Sequence, residues 1–399
     1  MIGQPLPAVP VSMAAPLPTA PPPRTPVQIT LQRAPNGYTG IIRSAQVHLP
    51  VTDADLAARN AGFATVLDEV RRQTKAKGLT LEEADLLDLL KRDDGLRYQG
   101  RLAFETLFPP HSDARHEIEA ILAWNEPLTF NILSDGFPFF WEMMYGGGME
   151  DNLGLNALLD GFWGCRHVIA RQVIGKGFHG LHPVMRAPAG MLVLVDSGLP
   201  QVVSSEVPAL QAHATKYNFQ CRLLDNVLSA QAGNAPSTQA IIEYLSQTAF
   251  PDDLVHFACH ARPNQTNTDN SRLEITVDGH KVKVQLADLQ VYGLRLARRP
   301  FVFLNGCSTN ARVLLQSKNF VDEFMRRGAR GLIATECTMP DTFAAEFAKE
   351  FYGRFLAGAL PIGEALWQTR QHFLTEHHNL LGMAYALYAD SQTRIVWPE

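Results

Sequence analysis

Cysteine is scarce in this sequence: there are five in 399 residues, an odd number without the spacing of a disulfide framework. A disulfide-stapled scaffold is therefore excluded, and reduced thiols in a cytoplasm are the expectation. Long apolar runs are missing as well. None approaches the roughly 18 residues that a membrane span needs. The apolar opening MIGQPLPAVPVSMAAPLPTA is broken by prolines and lacks the basic segment of a secretory signal. Nor is there a surplus of positive charge. Lys plus Arg number 35 against 40 for Asp plus Glu, a formal charge of −5, and the pairs Arg298-Arg299 and Arg326-Arg327 are too short to make a basic face for nucleic acid. Acidic residues are absent from the first 36 positions, which hold ten of the 26 prolines. Such a stretch buries too little apolar area to offset its ordering entropy, so residues 1–36 are expected to be a disordered Pro-rich tail, a tether or a polyproline ligand.

What is present is a core. Hydrophobic residues make up 46% of the chain, enough for a globular body. A strand is expected in 37–51 and helices over 53–77 and from Thr80, where Glu83 can complete a capping box. Residues 37–97 read as a small N-terminal region, either packing helices or a regulatory element that binds a partner. Residues 98–190 look mixed and include the strand-like 128–133. From 191 the rhythm is regular. Apolar strands at 191–195, 219–224, 254–259, 301–304, 331–335 and 383–388 alternate with helices at 207–217, 238–246, 318–327, 342–357 and 361–376. A hairpin over 272–286 turns at Asp278-Gly279. This alternation predicts an α/β fold with a mostly parallel sheet covered on both faces.

Open parallel sheets gather chemistry at the carboxyl ends of their strands. Two strands here end in reactive residues: 254–259 is followed by His260-Ala261, and 301–304 by Asn305-Gly306-Cys307. If the strands are neighbours, His260 and Cys307 share one rim. An imidazole there activates a thiol that is otherwise only a few per cent ionised, and it later protonates a leaving amine. Backbone N–H groups of Ala261 and Cys307 can serve an oxyanion. This chemistry requires no cofactor. His256 shares a face with His260 but sits deeper, so it reads as a core residue. Cys259 faces the other way, so no zinc site is expected from His256, Cys259 and His260. Cys221 and Cys337 read as packing residues, and Cys165 with His167 lies away from any strand end.

Taken together, Asp253–Ala261, Phe303–Thr309, Gly328–Ala334 with Pro340-Asp341, Phe137–Tyr145 and Tyr385–Asp390 resemble, in order, the elements of CHAT-domain peptidases, relatives of caspases and separase. The separation of His260 and Cys307, 47 positions, is similar to the roughly 50 residues found in caspases, although the caspase signature around cysteine is absent. The resemblance covers about 98–397 and implies a caspase-like three-layer sandwich, 98–190 being its N-terminal subregion and 191–397 its catalytic core. It further implies an endopeptidase acting on protein substrates, with Cys307 as nucleophile and His260 as base and acid, in a bacterial defence or cell-death setting. Ala261 stands where the family often has glycine, and residues 1–97 are not the helical repeats that often precede the domain. By their places, Asp196, Glu336 and Asp341 are candidates for a substrate pocket favouring Arg or Lys before the cut. Asp341 can instead cap the following helix, and Glu336 can be a solvated loop residue. The alternative reading is a catalytically silent scaffold that binds partner proteins; a small-molecule acyl-transfer hydrolase is a third. The stretch Gly175–Pro188 is expected to be a connector or a self-cleavage loop.

Overall fold

Alternation of apolar side chains along short segments, interrupted by amphipathic helices, makes a sheet with helices on both faces. The computed structural model describes residues 24–174, 184–186, 188–229, 236–264, 266–306 and 317–398, the side chains of 317–319 excepted. The strands of the N-terminal half are β1 (Thr25–Ala34), β2 (Gly37–Ile42), β3 (Ala45–Leu49), β4 (Leu128–Ser134), β5 (Val168–Val173), β6 (Val184–Arg186) and β7 (Gly190–Val195). Those of the C-terminal half are β8 (Gln220–Leu223), β9 (Leu254–Arg262), β10 (Arg272–Val277), β11 (His280–Gln285), β12 (Phe301–Gly306), β13 (Gly331–Thr335), β14 (Tyr385–Tyr388) and β15 (Arg394–Val396). Thirteen strands form one sheet in the order β11-β10-β9-β12-β13-β14-β5-β4-β1-β2-β3, with β7 pairing both β8 and β9.

The sheet contains two parallel blocks, extended by the antiparallel strands β10 and β11 on one side and β2 and β3 on the other. β8, β7, β9, β12 and β13 run one way. β14, β5, β4 and β1 run the other, the two blocks meeting where β13 and β14 pair antiparallel. One face buries Val193, Ala258, Phe303, Ile333 and Leu387 under the helices Asp341–Phe355 and Ile362–His377. The opposite face buries Leu192, Phe257, Leu304 and Leu332 against Ile241, Leu289 and Phe324. The fold is thus the expected three-layer α/β sandwich. Among the described residues no helix is long and apolar enough to cross a membrane.

Two boundaries differ from expectation. The tail expected over 1–36 gives way to β1 from Thr25 onward. There Val27, Ile29 and Leu31 alternate into the core at 1%, 1% and 0% exposure while β1 pairs parallel to β4; residues 1–23 lie outside the described residues. Pro26 and Pro35 flank or open this strand, places a strand tolerates. The division expected between 97 and 98 falls inside the helix Leu96–Leu107, whose Leu96, Phe104 and Leu107 join the same core as β1–β3. Residues 37–97 are therefore continuous with the main body. Of the stretch 175–188, Val184–Arg186 form β6, paired with β15, and most of the rest lies outside the described residues.

Within the second block the backbone joins β14 to β5 only weakly, through one registered pair, Leu387 with Ala170. Side chains close that seam. Arg171 on β5 donates through Nη1 to Glu336 Oε1 at 2.8 Å and to the Tyr388 hydroxyl at 3.2 Å, and through Nη2 to Glu142. Arg370 adds a bond to Glu142 Oε1 at 3.2 Å and one to the Tyr385 carbonyl. Burial by itself pulls the Arg171 guanidinium down, and the charges of Glu142 and Glu336, with the hydrogen bond to the Tyr388 hydroxyl, more than reverse it. Removing one partner from such a buried network leaves uncompensated charge and costs about 3–5 kcal/mol. Arg171→Ala should therefore lower the unfolding free energy by that amount in urea titrations followed by circular dichroism. A loss below about 1 kcal/mol would mean the network does not hold the seam.

His167 supplies a pH signature. Burial, then the charges of Arg166 and Arg24, push its imidazole down to about 3 from 6.5, and its Nδ1 accepts from the Leu128 N–H at 3.0 Å. Between those values the unfolded chain binds the extra proton. Its stabilising effect is complete above pH 6.5 and is lost as pH falls toward 3, at about 1.4 kcal/mol per unit. In urea melts between pH 6.5 and 4.5, His167→Gln should flatten the pH dependence by about 2–3 kcal/mol relative to the parent chain.

Candidate active site

The run Leu254 to Cys259 is apolar apart from His256 and is fully buried, and all six residues of β12 are buried beside it. Parallel pairing sets Phe303 against His256, Asn305 against Ala258 and Gly306 against Cys259. On the other flank, β7 sets Val193 against His256 and Val195 against Ala258, and the Asp196 N–H donates to the Ala258 carbonyl at 2.9 Å. β7 and β12 therefore both end beside the segment 258–260 of β9. β9 itself does not stop at Cys259 as expected. It continues to Arg262 because β10 pairs antiparallel with 260–262 on the flank that β7 vacates.

At this rim the backbones crowd. A Cβ placed on Gly306 would meet the Ala261 Cβ at 3.0 Å, tighter than nearly all real contacts, so glycine permits the approach of β12 to β9. His260 is partly exposed, its side chain 14% accessible, and its Nε2 lies 3.9 Å from Asp196 Oδ2. Cys307 lies outside the described residues.

Asp196 is fully buried. Its Oδ1 accepts from the Gly198 N–H at 3.0 Å and from the Thr276 hydroxyl at 3.3 Å, and its Oδ2 lies 3.2 Å from Lys281 Nζ. Lys281 Nζ also stands 3.6 Å from Glu274 Oε2, and Glu274 faces His260 across the β9–β10 pair. Burial pulls the Glu274 carboxyl up, but the hydrogen bond from Arg272 and the charges of Arg262 and Lys281 leave it below its usual range. Glu274, Thr276 and Lys281 were invisible to motif reading. Their alternation in the hairpin, with Thr276 registered against Lys281, was the available signal.

Beneath the rim lies a dry polar network. His256 Nε2 and Glu206 Oε1 are 2.7 Å apart, and Asn305 Nδ2 donates to the same oxygen at 2.6 Å and to the Ala344 carbonyl at 2.9 Å. The Tyr385 hydroxyl donates to Asn305 Oδ1 at 2.8 Å, and the Tyr352 hydroxyl lies 3.3 Å from His256 Nδ1. His256 is thus a core residue. Glu206, in a π-helical turn Val202–Glu206, carried no sequence signal for its place here.

The other two pocket candidates do not join Asp196. Glu336 is neither a solvated loop residue nor part of that group: it is 7% exposed and bound to Arg171 and Tyr388 at the seam. Asp341 opens the helix Asp341–Phe355, one residue earlier than expected, and its Oδ1 accepts from the Thr342 N–H at 2.9 Å. The four described thiols are poor nucleophiles. Burial pushes Cys221 up to about 11 and Cys165 and Cys337 to about 12, and it pushes Cys259, on the face opposite His260, further still.

A family model described as the CHAT domain matches residues 194–397, just over half of the chain. A probable protease of Vitiosangium sp. (strain GDMCC 1.1324) is 30% identical over 245 residues, a match that covers 59% of this chain and 30% of that protein. The chain thus spans about a third of that relative's length. Among solved structures, the Saccharomyces cerevisiae separase–securin complex is similar at 11% identity and a TM-score of 0.45, covering 92% of this chain and 30% of that one. Gingipain R, an Arg-specific cysteine proteinase of Porphyromonas gingivalis, is similar at 10% identity and a TM-score of 0.42, covering 81% of this chain and 76% of that one. The matched span begins in β7 and takes in every strand that reaches the rim, and on that match the chain belongs to the CHAT-domain family.

Proposed function

We propose that this chain is a cysteine endopeptidase in which Cys307 attacks the scissile carbonyl and His260 moves the proton. The observation that carries the reading is the β9–β12 register: Gly306 is paired with Cys259, and in the sequence Cys307 follows the one and His260 the other. Two further facts support it. The other four thiols are held protonated by burial, and the family's model covers this rim. In the reaction His260 takes the proton from the Cys307 thiol as sulfur bonds to the carbonyl carbon. The N–H groups of Ala261 and Cys307 receive the oxyanion, and the proton then passes to the departing amine as the C–N bond breaks. Water, deprotonated by the same imidazole, hydrolyses the thioester and regenerates the thiol.

Of the three pocket candidates only Asp196 remains at the rim once Glu336 and Asp341 are assigned elsewhere, and it favours Arg or Lys before the cut. Its neighbour Lys281 is consistent with a place that accepts an ammonium group. Protein substrates and a bacterial defence or cell-death setting go with the family resemblance, and a cytoplasmic location goes with reading the five cysteines as reduced thiols. A regulatory partner that works through residues 1–97 would meet the edge strand β3, which ends the sheet, or the outer side of the helix Asp53–Lys77. One observation favours the second reading, a silent binding scaffold: Asp196 is fully enclosed.

Labelling by an arginyl peptide with a thiol-reactive warhead separates the two readings. The parent chain should be labelled at Cys307, Cys307→Ala not at all, and His260→Ala at least about 100-fold more slowly. Equal labelling of all three would remove the peptidase reading. With iodoacetamide at pH 7.5, the native protein should be alkylated at Cys307 while Cys165, Cys259 and Cys337 stay unmodified until urea is added, as read by peptide mass spectrometry. Fast native alkylation of Cys259 would contradict its burial.

A further inference from the structure

We propose that Lys281 is a built-in occupant of the acidic pocket: its ammonium group stands where the cation of a basic substrate side chain must go, and binding such a substrate requires its displacement. The inference rests on the reading of Asp196 as the carboxylate that selects Arg or Lys.

Placement of Lys281 is not incidental. The β10–β11 hairpin turns through Asp278 and Gly279, both with positive φ (50° and 72°), as a two-residue turn of the primed kind demands. That turn fixes the register in which Val277 faces His280 and Thr276 faces Lys281. Opposed residues of an antiparallel pair share a face, so the Lys281 side chain is delivered beside the Thr276 hydroxyl that already holds Asp196. The result is an ammonium group 3.2 Å from Asp196 and 3.6 Å from Glu274.

The two partners differ in freedom. Asp196 is fully buried and held by the Gly198 N–H and the Thr276 hydroxyl. Lys281 is 42% exposed, on a flexible four-carbon stem that can swing into solvent. An incoming guanidinium or ammonium group would therefore exchange one cation for another on a fixed anion. The carboxylate is never left bare, which is the condition a buried charge imposes. Glu274 can keep Lys281 after the exchange, since it already pairs with Arg262 and Arg272 at 3.3 and 3.1 Å and accepts several cations. Lys281 thereby lowers affinity for every basic substrate, and it excludes weak ones altogether.

The test compares the full chain with Lys281→Ala, Lys281→Met and Asp196→Asn on matched peptides carrying Arg, Lys or Leu before the cut, together with calorimetric binding of agmatine. Removing the ammonium group should raise the Arg-to-Leu ratio of kcat/KM about tenfold or more, chiefly through KM. It should tighten agmatine binding by a similar factor, with Met, which keeps the length of the stem, behaving as Ala because both lack the ammonium group. Asp196→Asn should lose both the arginine preference and agmatine binding. A merely structural lysine would lower Tm and slow all peptides together, leaving the ratio within twofold; that result overturns the proposal, as does agmatine affinity unchanged in Lys281→Ala. If the parent chain prefers arginine and Asp196→Asn abolishes the preference while Lys281→Ala leaves it unchanged, only the occupant fails. If the parent and Lys281→Ala both prefer leucine and neither binds agmatine, the basic-substrate reading fails with it. Agmatine binding needs no turnover, so the test holds even for a chain that cuts nothing.

Discussion

The pairing of β9 with β12 in a single register is the constraint on which the rest of this molecule depends. Side chains alternate along a strand, so a slip of one residue would carry the whole His256–Ala258–His260 set to the other face. The register is held by buried apolar pairs such as Val302 with Val255 and Leu304 with Phe257, and any slip would expose them. It is locked again by polar atoms. Glu206 binds His256 on β9 and Asn305 on β12 through one oxygen, so the two strands cannot slide without breaking two buried hydrogen bonds. Each such bond left unmade costs about 1–3 kcal/mol, more when the acceptor is charged. Glu206 Oε2 takes no hydrogen bond among the described residues, so the lock is made by the shared Oε1 alone.

A second device keeps that register attached to the rest of the chain. β13 and β14 pair over four registered positions, but β14 and β5 share only one, and the Arg171 cluster adds charge-assisted bonds at that weaker joint. Glu336 directly follows β13, the neighbour of β12, and is part of that cluster. Strain or solvent entering the seam would thus be felt at the edge of the candidate site. The first residues of the domain share in this, because β1 and β4 extend the same sheet.

From residue 191 onward the order of strands and helices was legible in the sequence, because each strand there is a short apolar run and each helix has its own period. β1 was not. Its alternation of Val27, Ile29 and Leu31 lies within a proline-dense stretch, and composition outweighed a period of three apolar residues. The boundary near 97 was misplaced because a change in pattern is not a change of core: the helix Leu96–Leu107 crosses it without interruption. At the candidate site, the places of His260 and Asp196 could be read because strand ends announce them. Glu336 stands at a strand end too, yet its carboxylate is taken by an arginine 165 positions away, a relation that no local pattern carries. Glu274 and Lys281 reach the rim from a hairpin and Glu206 the layer beneath it from a helical turn, and only tertiary packing brings them there.

The polar chemistry at this end of the sheet is divided by depth. The inner set, Glu206, His256 and Asn305, is enclosed on all sides. A charged or amide group there cannot change partners without passing through a desolvated, unpaired state, which is expensive. The outer set is built differently. Asp196 and Glu274 are buried, but the cations they bind, Lys281, Arg262 and Arg272, are each about a third or more exposed. Fixed anions with mobile cations form an exchangeable arrangement, since a departing cation is immediately hydrated and an arriving one finds the anion in place. Rigid positioning and partner exchange make opposite demands on solvation. The alternation of β9 meets both within five residues, with His256 in the dry layer and His260 at the wet margin.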